Sequence, residues 1–227
     1  MLLDKFQKTS SDILIVAILG IIGCGEPAPE PDATTYLEKG DTLFNDERYI
    51  EAIKEYTKAI ELNPNLESAY IKRGDSHSVR LRKYKEAIED YTKAIQINPN
   101  NDVAYSRRAL NYVNLETYDL GGNIPNLENY DLAQKDSEKA LQINPNNVVA
   151  HYATGKVHYA RGKYQEAIDA YDKALELTPD YGPASFDKEI AERMLTHQSK
   201  TSEAYTNIIT SNEADIAKDQ IKGSSDK

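Results

Sequence analysis

The chain has 227 residues, and 27 basic against 37 acidic side chains leave a formal net charge of −10, which argues against nucleic-acid binding because phosphate affinity rests on clustered lysine and arginine. Hydrophobic residues make up 40% of the chain, enough to build a core but too few for a polytopic membrane protein. The lone cysteine, Cys24, excludes an internal disulfide framework and a zinc site built from several thiolates.

The first element is an apolar run of ten, Ile13 to Ile22, followed by Gly23, Cys24 and Gly25. A bilayer-spanning helix needs about 20 residues, so this run has the length of a signal-peptide core, with small residues where a peptidase cuts. Lys5 and Lys8 precede it, offset by Asp4 and Asp12. The sequence Ile21-Ile22-Gly23-Cys24 resembles a bacterial lipobox, which implies a signal peptide over 1–23 and makes Cys24 the lipidation site and first residue of the mature protein. Several acyl chains anchor stably, since each buried methylene adds about 0.8 kcal/mol. Residues 24–32 then carry alternating prolines, Pro27, Pro29 and Pro31, which favour an extended tether reaching roughly 25 Å at about 3.1 Å per residue.

An array follows. The segments YIEAIKEYTKAIELNPN (49–65), YKEAIEDYTKAIQINPN (84–100), YDLAQKDSEKALQINPN (130–146) and YQEAIDAYDKALELTPD (164–180) align without gaps, a repeat architecture. Ahead of each lies a second helical segment, at 34–44, 68–78, 103–113 and 149–159. The spacing predicts four helix-turn-helix units at 33–66, 67–101, 102–147 and 148–181. Small residues recur in the first helix (Gly40, Gly74, Ala109, Gly155), and alanine pairs recur in the second: Ala52 with Ala59, Ala87 with Ala94, Ala133 with Ala140, and Ala167 with Ala174. Large partners are Tyr36, Tyr70, Tyr105 and His151 in the first helices and Tyr56, Tyr91 and Tyr171 in the second. Helices packed about 8–10 Å apart tolerate no added methylene at such contacts. Pro64, Pro99, Pro145 and Pro179 end the second helices.

Position by position this pattern resembles the tetratricopeptide repeat (TPR) over residues 33–181. The resemblance implies an all-α, right-handed α-solenoid in which no single unit can bury its apolar face alone. Pro183 suits a helix's first turn, and Phe186, Ile190 and Met194 form an i, i+4, i+8 stripe, so 182–195 is expected to be a C-terminal capping helix. Residues 196–227 are polar with sparse hydrophobics, and a mobile tail with at most a short helix is expected there.

The third unit is 12 residues too long because NLETYDL (114–120) recurs as NLENYDL (126–132). Gly121, Gly122 and Pro125 predict a protruding loop. In the same unit Ser137 stands where the others carry tyrosine, and Tyr118, Leu120 or Ile124 is expected to fold back into the vacated space. The alternative is a partner-contacting loop.

Enzyme chemistry is not expected. His77, His151 and His158 occupy packing positions of the repeat, and His197 lies in the tail. A phosphate loop, a Gly-x-Ser-x-Gly elbow and a His-Glu-x-x-His motif are missing from the sequence, so no cofactor, metal or small-molecule substrate is expected. The family resemblance implies partner binding along a concave groove lined by first helices. Its outward positions are expected at Leu37, Asp41, Phe44, Asn45, Ile71, Asp75, Ser106, Leu110, Val113, Asn114, Tyr152, Lys156 and Tyr159, a mixture suited to an extended peptide or a docked helix. Asp41 and Asp75 near one end and Lys156 near the other suggest a polarised groove. Chaperone-binding relatives hold a terminal carboxylate with Lys and Asn at positions occupied here by Leu37 and Asp41, so that clamp does not carry over. The expected function is a lipid-anchored scaffold or adaptor in the bacterial cell envelope, at the outer membrane in preference to the inner. Alternatives are an accessory to an envelope hydrolase and a self-associating structural protein.

Overall fold

The computed structural model describes residues 31–118 and 127–225, with side chains over 31–116 and 127–210. Among these are nine α-helices and no strand: α1 (Ala33–Asn45), α2 (Tyr49–Leu62), α3 (Glu67–Val79), α4 (Tyr84–Ile97), α5 (Asp102–Tyr118), α6 (Leu127–Ile143), α7 (Val148–Ala160), α8 (Tyr164–Leu177) and α9 (Gly182–Ser225). Successive helices pair as hairpins α1–α2, α3–α4, α5–α6 and α7–α8, and each hairpin packs on the next to give an all-α solenoid of repeats, closed by α9 against α8.

Proline sets the period. Asn63, Asn98 and Thr178 each precede a proline and are held in the extended region, because the proline ring clashes with an α conformation before it. The N–H of each still reaches back to an alanine carbonyl, Asn63 to Ala59, Asn98 to Ala94 and Thr178 to Ala174, all at 2.9 Å. The asparagine side chains then accept the N–H two residues on, at 3.1 Å for Asn65 and for Asn100. Each second helix is thereby stopped and turned toward the next unit.

Inside each hairpin a tyrosine ring sits where a methyl group would otherwise stand. A Cβ built on Gly40 would lie 2.4 Å from Tyr56 Cε1, one on Gly74 2.9 Å from Tyr91 Cε1, and one on Gly155 2.3 Å from Tyr171 Cε1. Tyr56, Tyr91 and Tyr171 are buried, as are all eight repeat alanines. The third unit changes both sizes: Ala109 and Ser137 stand at the positions of the glycine and the tyrosine, both are fully buried, and Ser137 Oγ donates to Ala133 O at 2.9 Å. Ala109 brings a methyl group that the glycines of the other units lack, and it packs in a cluster with Val113, Tyr130, Ala133, Ala153 and Val157. The side chains of Tyr118, Leu120 and Ile124 lie outside the described residues.

The duplicated heptad is helical over 114–118 in its first copy and over 127–132 in its second. Its first copy continues α5 as far as Tyr118 and its second runs into α6 from Leu127, so the insertion lengthens both helices of the third hairpin; of the insertion expected as a loop, 117–128, residues 117–118 and 127–128 are helical and 119–126 lie outside the described residues.

Charges cross the hairpins in register. Arg73 donates to both carboxylate oxygens of Asp90 (2.6–3.2 Å) and to Thr57 Oγ1 of the preceding hairpin at 3.1 Å. Arg108 repeats this with Asp136 at 2.7 and 2.8 Å and Thr92 Oγ1 at 3.0 Å, and Lys39 pairs with Glu55 at 3.2 Å in the first unit. The guanidinium groups also lie over tyrosine rings, Arg73 over Tyr70 at 5.6 Å and Arg108 over Tyr105 at 5.7 Å. His77 Nε2 is 3.8 Å from Asp90 Oδ2, yet burial holds its imidazole below the usual histidine range, with Asp90 and Glu86 pulling it up and Arg73 and Lys83 pushing it down.

Two expectations about the C-terminal segment are corrected. Helix α9 buries Ala184 and Ala191, which pack with Tyr171, Ala174 and the half-buried Leu195, while Phe186 is 63% exposed and Met194 is exposed. Small residues face α8 because the helices approach closely, and the larger stripe is turned away. Nor does the helix stop at 195: it continues to Ser225, since neither proline nor glycine interrupts it before Gly223. Residues 196–210 are exposed along it.

Four outcomes are expected. Gly40→Ala gains about 1 kcal/mol of helix propensity, but it overpacks a locked ring at a cost of about 1–3 kcal/mol and should be net destabilising in urea unfolding. Gly40→Ala with Tyr56→Ser, which copies the third unit, should lose at least about 1 kcal/mol less than the two single changes added together. Arg108→Met strands the buried Asp136 carboxylate and should cost about 3–5 kcal/mol, most of it recovered on adding Asp136→Leu. The His77 pKa is lowered on folding, so its contribution is present above the ordinary histidine pKa and is lost as pH falls below it. Between about pH 7.5 and about pH 5.5, His77→Gln should therefore lose less melting temperature than the parent, and parallel curves would refute this.

Candidate peptide-binding groove

A first helix must touch its own second helix and also the next first helix, so the strip left for a ligand is narrower than one helix's polar periodicity suggests. Of the positions expected to line the groove, Asn45 is exposed, and Leu37, Asp41, Phe44, Leu110, Asn114, Lys156 and Tyr159 are half-buried. Ile71, Asp75, Ser106, Val113 and Tyr152 are instead buried. Ile71 packs with Tyr91, Ala94 and Ala104, and Ser106 Oγ accepts from Asn147 Nδ2 at 3.2 Å. Val113 belongs to the cluster around Tyr130. Tyr152 packs on Tyr171 and Tyr181 with ring centroids 5.8 and 5.4 Å apart and donates to Asp187 Oδ2 at 2.7 Å.

The acidic end of the expected polarity is also internally engaged. Asp41 accepts the Tyr56 hydroxyl at 2.7 Å and lies 3.3 Å from Lys72 Nζ. Asp75 accepts the Tyr91 hydroxyl at 2.8 Å and the Arg107 guanidinium. Burial raises the Asp75 carboxyl pKa against the pull of Arg107, and burial together with Asp75 raises that of Tyr91 well above the usual phenol range. These carboxylates hold tyrosines and neighbouring repeats in place.

Two cavities remain on the face of the first helices. One, of about 330 Å³, is lined from Ser78 and Val79 in α3, through Leu110 and Asn114, to Tyr181 and Pro183 at the start of α9. One space bounded by both the second unit and the cap means that this face curves inward. The other, of about 400 Å³, is mainly apolar and lies between the third unit, the fourth and α9, where Val113, Tyr130, Tyr159, Phe186 and Ile190 form its walls and Glu116, Tyr171 and Asp187 add polar groups. Lys156 lines both. Its Nζ is 3.9 Å from Asp187 Oδ2 and 5.7 Å from the Tyr152 ring centroid, and burial, only partly countered by Asp187, holds its pKa below the usual lysine range.

Sequence periodicity missed Phe186, Ile190, Asp187 and Tyr181 as groove components, because they belong to the cap and its approach. The signal present was an exposed aromatic and aliphatic stripe on a helix that uses alanine for packing. Among the described residues no group of His, Cys, Asp and Glu is placed to hold a metal ion, and no helix is long and apolar enough to cross a membrane. His151 Nε2 lies 2.9 Å from Pro145 O, and burial lowers the His158 pKa, as expected of packing residues.

Sequence models of the tetratricopeptide repeat match residues 40–78, 79–101, 126–147 and 148–181. Hsp70-Hsp90 organizing protein 1 of Arabidopsis thaliana is 49% identical over 41 residues, 18% of this chain and only 7% of that protein's length. The first TPR of Spaghetti (RPAP3), solved bound to an HSP90 peptide, is similar with a TM-score of 0.50 and 28% identity over 60% of this chain and 98% of that one. A tetratricopeptide repeat protein of Parabacteroides merdae shares the fold with a TM-score of 0.60 at 20% identity, covering 92% of this chain and 75% of that one. What the alanines, prolines and small first-helix residues repeat four times over is the tetratricopeptide repeat, and the chain belongs to that family.

Proposed function

We propose that the protein is a non-catalytic adaptor that holds a partner protein on the curved face of its first helices while a lipid on Cys24 ties it to a membrane of the bacterial cell envelope, the outer in preference to the inner. Membership of a family of interaction repeats supports the scaffold role, and so does the similar Spaghetti domain, which was solved with a peptide. The observation that carries the reading is the pair of adjoining cavities, one between the third and fourth units and the cap and the other reaching from the second unit to the cap. They offer an apolar recess beside a polar one, as groove-bound peptides require. Anchoring rests on the sequence: the lone cysteine follows Ile21, Ile22 and Gly23, and a proline-rich spacer separates it from the first repeat.

Expression of the full chain in a bacterial host fed an alkyne-labelled fatty acid tests the anchor. Label should be incorporated and the protein should sediment with membranes, whereas Cys24→Ala should lose the label and become soluble; unchanged behaviour would remove the anchor. Crosslinking and capture from the same membranes tests the groove. The double change Asn114→Ala with Tyr159→Ala alters half-buried cavity residues and should reduce partner recovery by about tenfold, and equal recovery would move the interface to another face.

A further inference from the structure

The fourth unit departs from the first two at the residue after its glycine. Asp41 and Asp75 follow Gly40 and Gly74 and accept the hydroxyls of the seated tyrosines. After Gly155 comes Lys156, and no hydrogen bond to the Tyr171 hydroxyl is found among the described residues. The Lys156 side chain is only 14% exposed, and its Asp187 partner stands off at 3.9 Å while accepting the Tyr152 hydroxyl at 2.7 Å. The side chain is mostly covered, while its ammonium, with three donors and one carboxylate no nearer than 3.9 Å, borders both cavities, so a group entering either one can complete its hydrogen bonding. The completing group is an acceptor, and an anion serves best.

Where that acceptor can enter is fixed by the surroundings. On one side of Lys156 the polar cavity presents the Ser78 hydroxyl, the Asn114 amide and the Tyr181 hydroxyl. On the other side the apolar cleft is walled by Tyr159, Phe186 and Ile190, and its own carboxylates, Glu116 and Asp187, keep an anion out.

We propose that the two cavities receive two neighbouring residues of one partner segment, an acidic side chain on Lys156 and Asn114 and a bulky apolar side chain in the cleft against Phe186. This rests on the groove reading above and specifies its ligand. Lys156 is the specificity-determining residue.

Fluorescence anisotropy of the full chain in detergent with fluorescein-labelled, C-terminally amidated peptides is the test, the probe being Gly-Ser-Phe-Glu-Ser-Gly. It should bind at least about tenfold more tightly than the versions with Gln or Lys in place of Glu, or Ala in place of Phe. Lys156→Met should abolish the preference for Glu over Gln while keeping the parent's helical circular dichroism and melting temperature, Lys156→Arg should retain it, and Lys54→Met, on an exposed site of α2, should leave it unchanged. Equal binding of the Glu and Gln peptides, or a preference that survives Lys156→Met, overturns the proposal. So does tighter binding of a peptide ending in a free carboxylate at Phe, which would assign the anion to a chain terminus. Absence of binding by every peptide also overturns it, and partner capture that still depends on Asn114 and Tyr159 would then leave the groove reading intact.

Discussion

A tyrosine ring on the second helix and a methyl group on the first cannot occupy the same volume, and the solenoid is organised around that exclusion. With glycine at 40, 74 and 155 the ring enters fully, its hydroxyl emerging on the first-helix side, where Asp41 or Asp75 can accept it. The aspartates in turn meet cations from the following unit, Lys72 and Arg107. In the first two units one steric choice thereby determines where a buried polar group emerges, which charge answers it, and how one hairpin is joined to the next. The third unit makes the opposite choice throughout, with Ala109, Leu110 and Ser137 in place of glycine, aspartate and tyrosine. The apolar set needs no carboxylate because it carries no phenol.

The second set of charges works along the array. Arg73 and Arg108 each join an aspartate of their own hairpin to a threonine of the preceding one, so part of the force between units is directional. Ion pairs at this depth contribute more to register than to net stability, which suits an array whose apolar contacts are mostly alanine and could slide. The fourth unit drops the device, with Thr154 and Ala170 at the corresponding sites. The same unit places a lysine where the first two have aspartate, and it borders the two cavities.

Much of this architecture was legible in the residues. The proline period and the alanine pairs located the helices to within a residue or two in the regular units, because backbone restriction by proline is local and close helix approach leaves few alternatives to small residues. The lining of the groove was less legible. Periodicity along one helix says which residues share a face but not how much of that face a neighbour covers, and so Ile71, Ser106, Val113 and Tyr152 were expected on the surface and are buried. The cap misled for a related reason: large apolar residues usually mark the buried side, but α9 packs through Ala184 and Ala191 and leaves Phe186 free to border a cavity. The charge ladder was present as recurring Arg and Asp at fixed offsets, yet on a single helix such residues look like ordinary solvated ones, and only the pairing of two helices distinguishes them.

The matching of ring to recess has a bearing on how such a chain can be rearranged. Whole hairpins carry both halves of the fit and can be copied or exchanged with their packing intact. A crossover falling between the helices of one unit would mate Ala109 with a tyrosine, or a glycine with Ser137, giving a clash in the first product and a void in the second. The duplication at 114–120 and 126–132 avoids this, since it falls between Ala109 and Ser137 and lengthens both helices without replacing either residue.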